Sequence, residues 1–85
     1  MTPEQFKSIR VDHLDLSQEE LAIVLGLAGK KVISNIEVGL RNPSHLTVAL
    51  MGLLADMPKK KATELVDLIR TYSLKEKWLS KRGGK

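Results

Sequence analysis

Apolar residues recur at intervals of three and four along most of this chain, which is the spacing of one face of an α-helix. Phe6 and Ile9 begin the pattern in a first helix, which is predicted to extend to about His13. Pro3 suits its first position, and Thr2 and Gln5 have the spacing of a capping box at its start. No stretch alternates apolar and polar residues in the way that a half-buried strand would. The sequence therefore predicts an all-α protein.

The second helix has both a start and a stop signal. Ser17 and Glu20 have the spacing of a capping box, in which each side chain bonds to the backbone N–H of the other residue. Gly26 ends the helix, and Gly29 follows closely, so only a tight corner fits before the next helix. The apolar face of this helix is predicted to consist of Leu21, Ala22 and Leu25.

A third helix follows this corner and ends near Gly39, before Asn42 and Pro43. Ile33 and Ile36 are spaced to lie on its buried side. The positions between them are polar and are predicted to face outward, and they are Lys30, Lys31, Ser34 and Asn35. Two lysines at the start of a helix oppose its dipole, which indicates a use for them other than stability.

Two further helices are predicted from the same periodicity. The apolar face of the fourth helix is assigned to Leu46, Ala49, Leu50, Leu53 and Leu54, and that of the fifth helix to Ala62, Leu65, Leu68, Ile69 and Tyr72. The central core is predicted to contain Phe6, Ile9, Leu21, Ala22, Leu25, Ile33, Ile36 and Leu53. A chain of 85 residues can bury one such core, so residues 1–74 are expected to form a single domain.

Several short segments together resemble the phage repressor and Cro type helix-turn-helix family. They are Leu-Ser-Gln-Glu-Glu-Leu-Ala at 16–22, Leu-Gly-Leu at 25–27, Ile-Ser-Asn-Ile-Glu at 33–37 and Arg-Asn-Pro-Ser at 41–44. The resemblance implies a compact, five-helix, lambda-repressor-like domain with its helix-turn-helix at helices 2 and 3. It also implies binding to operator DNA, usually as a homodimer, with helix 3 in the major groove. The chain departs from the family pattern by one additional residue between Gly26 and Ile33 and by another before Leu14.

The resemblance also suggests which residues contact double-stranded DNA. Base contacts are assigned to the outer face of helix 3, where asparagine can pair with adenine and lysine with guanine or phosphate. Phosphate contacts are assigned to the start of helix 2 and to the segment before helix 4, whose free N–H groups suit an anion. The full set is Gln18, Lys30, Lys31, Ser34, Asn35, Arg41, Asn42 and Ser44. Glu37 is where the family carries an acid that pairs with an arginine of helix 1, and Arg10 is the candidate.

The net charge of +4 is concentrated at the C-terminus. Residues 1–74 contain nine basic and nine acidic side chains, whereas residues 75–85 contain five basic and one acidic. We expect residues 75–85 to form a basic tail that is partly disordered and adds sequence-independent attraction to DNA. Trp78 also leaves open a contact between this tail and a second copy of the chain.

Other classes of function find little support. The chain has no cysteine, so disulfides and thiolate metal sites are excluded, and a cytoplasmic location is expected. No apolar run approaches the about 20 residues that a membrane-spanning helix needs, so no membrane partner is expected. His13 and His45 lie on different segments, and neither a catalytic constellation nor a metal-ligand spacing occurs. We therefore expect no enzyme activity, no cofactor and no metal.

Two functions from different classes remain open. The first is a sequence-specific transcriptional regulator that occupies an operator. The alternative is an antitoxin or phage adaptor, whose main task is to bind a protein partner such as a toxin and whose helical motif serves as a scaffold. Salt distinguishes them, because DNA binding weakens steeply with salt and an apolar protein interface does not.

Overall fold

The computed structural model describes residues 1–74, which form five helices and contain no strand. Helix α1 (Pro3–Ser8) continues directly into a π-helical turn (Ile9–His13). The other helices are α2 (Gln18–Leu25), α3 (Lys30–Glu37), α4 (His45–Asp56) and α5 (Lys59–Leu74). The prediction of an all-α protein is thus confirmed for these residues, while the predicted tail at 75–85 lies outside them.

The two capping boxes predicted from the sequence are present. The Thr2 hydroxyl accepts from the Gln5 N–H at 3.1 Å, and the Gln5 side chain accepts from the Thr2 N–H at 2.8 Å. Ser17 and Glu20 form the same pair of bonds, at 3.1 and 2.8 Å. Each pair satisfies two N–H groups that have no partner within the helix, and so fixes where α1 and α2 begin.

The corner between α2 and α3 depends on a left-handed glycine. Gly26 has a φ of +69°, and its N–H donates to the carbonyls of Ala22 and Ile23. A residue with a Cβ is strained at this φ, so Gly26 lets the chain turn immediately after α2. The Leu27 N–H then donates to the Ala22 carbonyl at 2.9 Å, which closes the end of the helix.

The first helix ends in a π-helical turn just before Leu14. The Leu14 N–H donates to the Ile9 carbonyl at 2.9 Å, five residues earlier rather than four. One extra residue is thereby accommodated within the helix, and Leu14 still reaches the core. His13 at the end of this turn is half-buried, and its Nε2 lies 2.8 Å from the Met57 carbonyl oxygen.

The core lies between α2, α3 and the inner sides of the other helices. Its fully buried large side chains are Phe6, Leu14, Leu21, Ile33, Met51 and Val66. Ala22 and Ile36 are also buried, as predicted, whereas Ile9 and Leu25 are only partly buried and pack against the edge of the core. Val24 belongs to the core as well, because α5 packs against α2.

The predicted inner face of α4 is wrong except at Leu54, because Leu46, Ala49 and Leu53 are exposed and Leu50 is only half-buried. Leu46 and Leu53 are 67% and 55% exposed, and the buried residues of this helix are Thr47, Met51 and Leu54. Almost every position of α4 is apolar, so the spacing alone permits more than one buried face, and contacts with the π-helical turn and α5 select among them. Leu53 is therefore not part of the core.

The predicted face of α5 needs a smaller correction. Ala62 and Val66 are buried, and Leu65 and Ile69 pack against them from the side. Leu68 and Tyr72 are each more than half exposed. The buried stripe of α5 is therefore narrower than predicted. None of the helices within residues 1–74 is long and apolar enough to cross a membrane.

Candidate functional site

Helix α3 separates its apolar and polar residues on opposite sides. Ile33 and Ile36 are buried, and the opposite side consists of exposed Lys30 and Lys31 and half-exposed Ser34 and Asn35. Within residues 1–74, neither lysine forms an ion pair. Two unneutralised ammonium groups therefore stand at the positive end of the helix dipole, where an anion would stabilise them.

The only acidic residue of α3 is turned away from this polar side. Glu37 is the last residue of the helix, and its side chain is only 3% exposed. Its carboxylate accepts hydrogen bonds from Arg10 Nε at 2.6 Å and from Arg10 Nη2 at 3.0 Å. The predicted pair between Arg10 and Glu37 is therefore present, and it leaves the outer side of α3 without negative charge.

Gln18 joins the same hydrogen-bond network from the start of α2. Its Nε2 donates to Glu37 Oε1 at 3.1 Å. Burial of the Glu37 carboxylate acts to raise its pKa, but the hydrogen bonds from Arg10 and Gln18 outweigh burial and lower the pKa from its ordinary value of 4.5. Glu37 thus stays ionised and holds the start of α2 against the end of α3.

An open groove of about 500 Å³ lies where α2 and α3 begin. Its lining consists of Arg10, Ser17, Gln18, Glu19 and Lys30. The groove brings together two of the residues assigned to DNA contact, one from each helix. Glu19 is exposed beside them and adds a negative charge, which is not among the residues predicted to contact DNA.

The segment after α3 contains the remaining predicted residues. The backbone N–H groups of Leu40 and Arg41 both donate to the Asn35 carbonyl, at 2.9 and 3.2 Å, which turns the chain back after the helix. Arg41 and Asn42 are exposed and line a small cleft of about 90 Å³ beside the first residues of α1. This cleft is separate from the groove at the start of α2.

Ser44 has a structural partner. Its hydroxyl accepts from the Thr47 N–H at 3.1 Å and donates to the Thr47 hydroxyl at 3.0 Å, so it caps α4. Ser44 is an exposed residue, and it caps the helix start at which a phosphate contact is predicted.

Two exposed apolar residues near this site were not singled out from the sequence. Val38 and Leu40 follow α3 directly, and they are 66% and 79% exposed. They lie outside any helical repeat, so periodicity gives no signal for them. Within residues 1–74, no three His, Asp or Glu side chains are grouped so that they could hold a metal ion.

Comparisons of the chain with protein-family models, with curated proteins and with solved structures each find no match. A functional proposal for this chain therefore rests on the arrangement of its own residues.

Proposed function

We propose that this chain is a sequence-specific DNA-binding transcriptional regulator of the phage repressor and Cro type, in which α2 and α3 act as a helix-turn-helix. The observation that carries the proposal is the outer side of α3. It offers two lysines, a serine and an asparagine, while the only acid of the helix is bonded to Arg10 on the inner side. A helix with hydrogen-bond donors and positive charge on one side suits the major groove.

The chemistry of these side chains fits base and phosphate contacts. Asn35 can accept from adenine N6 and donate to N7 at the same time, which distinguishes adenine from the other bases. Lys30 and Lys31 can donate to guanine or to phosphate oxygens. Their position at the start of α3 is unfavourable without an anion and favourable with one.

Gln18 can hold a phosphate while it holds the helices together. Its side-chain amide has two N–H donors, and the bond to Glu37 uses one of them. The second is available to a phosphate oxygen at the start of α2, where backbone N–H groups also favour an anion. Arg41, Asn42 and the start of α4 are proposed to contact the DNA backbone further along.

A protein-binding role is the second candidate. Val38 and Leu40 are largely exposed at the end of α3, and exposed apolar groups are typical of contacts with a protein partner. An antitoxin or adaptor would use them to cover a toxin or another protein. Val38 and Leu40 also lie beside Arg41, a position that is compatible with DNA binding. Their exposure therefore supports protein binding less strongly than the polar side of α3 supports DNA binding.

The proposal is tested by selecting binding sites from random duplex DNA and measuring affinity for the selected site across a salt series. We expect a site to emerge and the affinity to fall steeply between about 50 and 200 mM salt. Lys31→Ala should weaken binding and make the salt dependence shallower by nearly one unit of log-log slope. Lys60→Ala, which removes another exposed lysine at the start of a helix, α5, is the matched control. If no sequence is enriched and both variants behave alike, the proposed function is wrong.

A further inference from the structure

Arg70 on α5 contacts the start of α2, although α5 contributes no residue to the groove described above. Its Nη2 lies 3.4 Å from Oε2 of Glu20, and its Nη1 lies 3.9 Å from Oδ1 of Asp67 on its own helix. The Nε of Arg70 is buried and has no hydrogen-bond partner within residues 1–74. The side chain thus reaches from α5 to α2 where the two helices pack against each other.

Glu20 has a separate partner for each of its carboxylate oxygens. Oε1 accepts from the Ser17 N–H at 2.8 Å as part of the capping box, and Oε2 faces Arg70. The bond from Ser17 lowers the pKa of Glu20, and the charge of Arg70 acts in the same direction, so the carboxylate is ionised at neutral pH. Because Ser17 lines the groove where α2 and α3 begin, this negative charge lies next to the proposed phosphate contact.

The acids near the start of α2 differ in how their charges are compensated. Glu37 is bonded to Arg10. Glu20 is paired with Arg70, whereas Glu19 forms no ion pair within residues 1–74. A carboxylate without a partner repels phosphate and so weakens the attraction that a helix start provides. Without Arg70, the first turn of α2 would contain two such acids in place of one.

We propose that Arg70 is a positioning residue of the DNA site: it holds and neutralises the Glu20 carboxylate, so that the start of α2 can bind a phosphate. In this arrangement Arg70 does not itself contact DNA. The side chains of the pair are 32% and 39% exposed, so the pair adds little to stability, and its main consequence is the charge that a phosphate meets. The inference rests on the proposed function and deepens it, because it extends the DNA-binding unit from α2 and α3 to α5.

The test measures binding to a duplex of about 20 base pairs with a scrambled sequence, because a phosphate contact does not depend on sequence. Arg70→Met removes the charge and retains an unbranched side chain. It should weaken binding about threefold at about 50 mM salt and less at about 200 mM, as expected for one partly screened charge. Arg70→Lys retains the charge and should bind like the natural protein. Circular dichroism checks that each variant is folded.

A second substitution distinguishes an action through Glu20 from a change in net charge. Glu20→Gln added to Arg70→Met should restore the natural affinity, because the carboxylate is removed while glutamine can still complete the capping box. Glu64→Gln added to Arg70→Met gives the same net charge but leaves Glu20 without its partner. Glu64 is exposed on α5, and this control should bind as weakly as Arg70→Met alone.

Unchanged affinity of Arg70→Met overturns the proposal, and so does equal recovery with Glu20→Gln and with Glu64→Gln. A salt dependence that becomes shallower by nearly one unit of log-log slope in Arg70→Met also overturns it, because Arg70 would then contact a phosphate directly. If Arg70→Met fails to fold, Arg70→Gln provides the same test.

The proposed function and this inference can fail separately. If no sequence is enriched by selection but the scrambled duplex gives the expected responses, only the sequence-specific function is wrong. If a sequence is enriched but Arg70→Met has no effect, only the role of Arg70 is wrong. A chain that binds no duplex DNA at all overturns both.

Discussion

The guanidinium Nε of Arg10 lies 2.6 Å from a carboxylate oxygen of Glu37, a residue that is 27 positions later in the chain. Arg10 also donates from Nη1 to the Leu16 carbonyl at 2.9 Å. One side chain in the π-helical turn thus joins the segment before α2 to the end of α3. Because Gln18 bonds to the same carboxylate, the proposed DNA-reading helix is held in place from two directions.

Arg10→Met is expected to destabilise the protein by about 3 kcal/mol, because it leaves the Glu37 carboxylate buried without its ion-pair partner. Urea unfolding measures this change. Arg41→Met removes an exposed arginine and is the control, with an expected change within about 0.5 kcal/mol. Equal, small effects of both substitutions would mean that the ion pair contributes little to the fold.

Stability should fall in acid partly because of Glu37. Its pKa in the folded protein is below the ordinary 4.5, since bonds from Arg10 and Gln18 outweigh its burial. The stability that the ionised group contributes is therefore complete above about pH 4.5 and is lost as the pH falls through the lowered pKa. The bond from the Ser17 N–H lowers the pKa of Glu20 in the same direction.

The measurement is the free energy of unfolding from about pH 6 to about pH 3, for the natural protein and for Glu37→Gln. We expect the natural protein to lose more stability over this range, because the amide of the variant does not titrate. Parallel curves for the two proteins would show that the Glu37 carboxylate has a similar pKa in the folded and unfolded chains.

The features of this fold that depend on residues close together in the sequence were predicted correctly more often than those that depend on contacts between distant helices. The capping boxes at Thr2 and Ser17 were correct because each involves residues only three positions apart. The buried face predicted for α4 was wrong at Leu46 and Leu53 because that helix is apolar almost throughout, and its orientation depends on contacts with distant helices. The π-helical turn was likewise not predicted; it contains the buried Arg10 and ends before the buried Leu14.

The same distinction between local and long-range features applies to the candidate site. The polar positions of α3 could be assigned from spacing, because Ile33 and Ile36 fix which side is buried. The proximity of Glu19 to Lys30 could not, because it depends on how α2 and α3 meet at the groove. Pairing of Arg10 with Glu37 was expected only through the family resemblance.

The orientation of α4 predicts opposite outcomes for two neighbouring leucines. Leu54→Ala should destabilise the monomer by about 2 to 5 kcal/mol, because Leu54 is buried in the core. Leu53→Ala should change stability by no more than about 0.5 kcal/mol, because its side chain is mainly in solvent. Urea unfolding at low protein concentration measures both without a contribution from dimers. A larger effect at Leu53 would mean that α4 is rotated.

Glu19 is expected to weaken DNA binding rather than to support it. It lies in the groove beside Gln18 and Lys30, where it would repel a phosphate. Glu19→Gln should therefore raise the affinity for duplex DNA severalfold at about 50 mM salt, with a smaller gain at about 200 mM. Fluorescence anisotropy measures the change, and Glu64→Gln, an exposed acid on α5, is the control. Unchanged affinity would place the DNA away from this groove.

The most direct test of the account is the binding of Asn35→Ala to two duplexes, the selected site and a scrambled site of the same length and composition. If Asn35 reads an adenine from the outer side of α3, the substitution should cost about 1 to 3 kcal/mol on the selected site and almost nothing on the scrambled one. Equal losses on both duplexes, or no loss on either, would contradict the claim that this side of α3 reads DNA sequence.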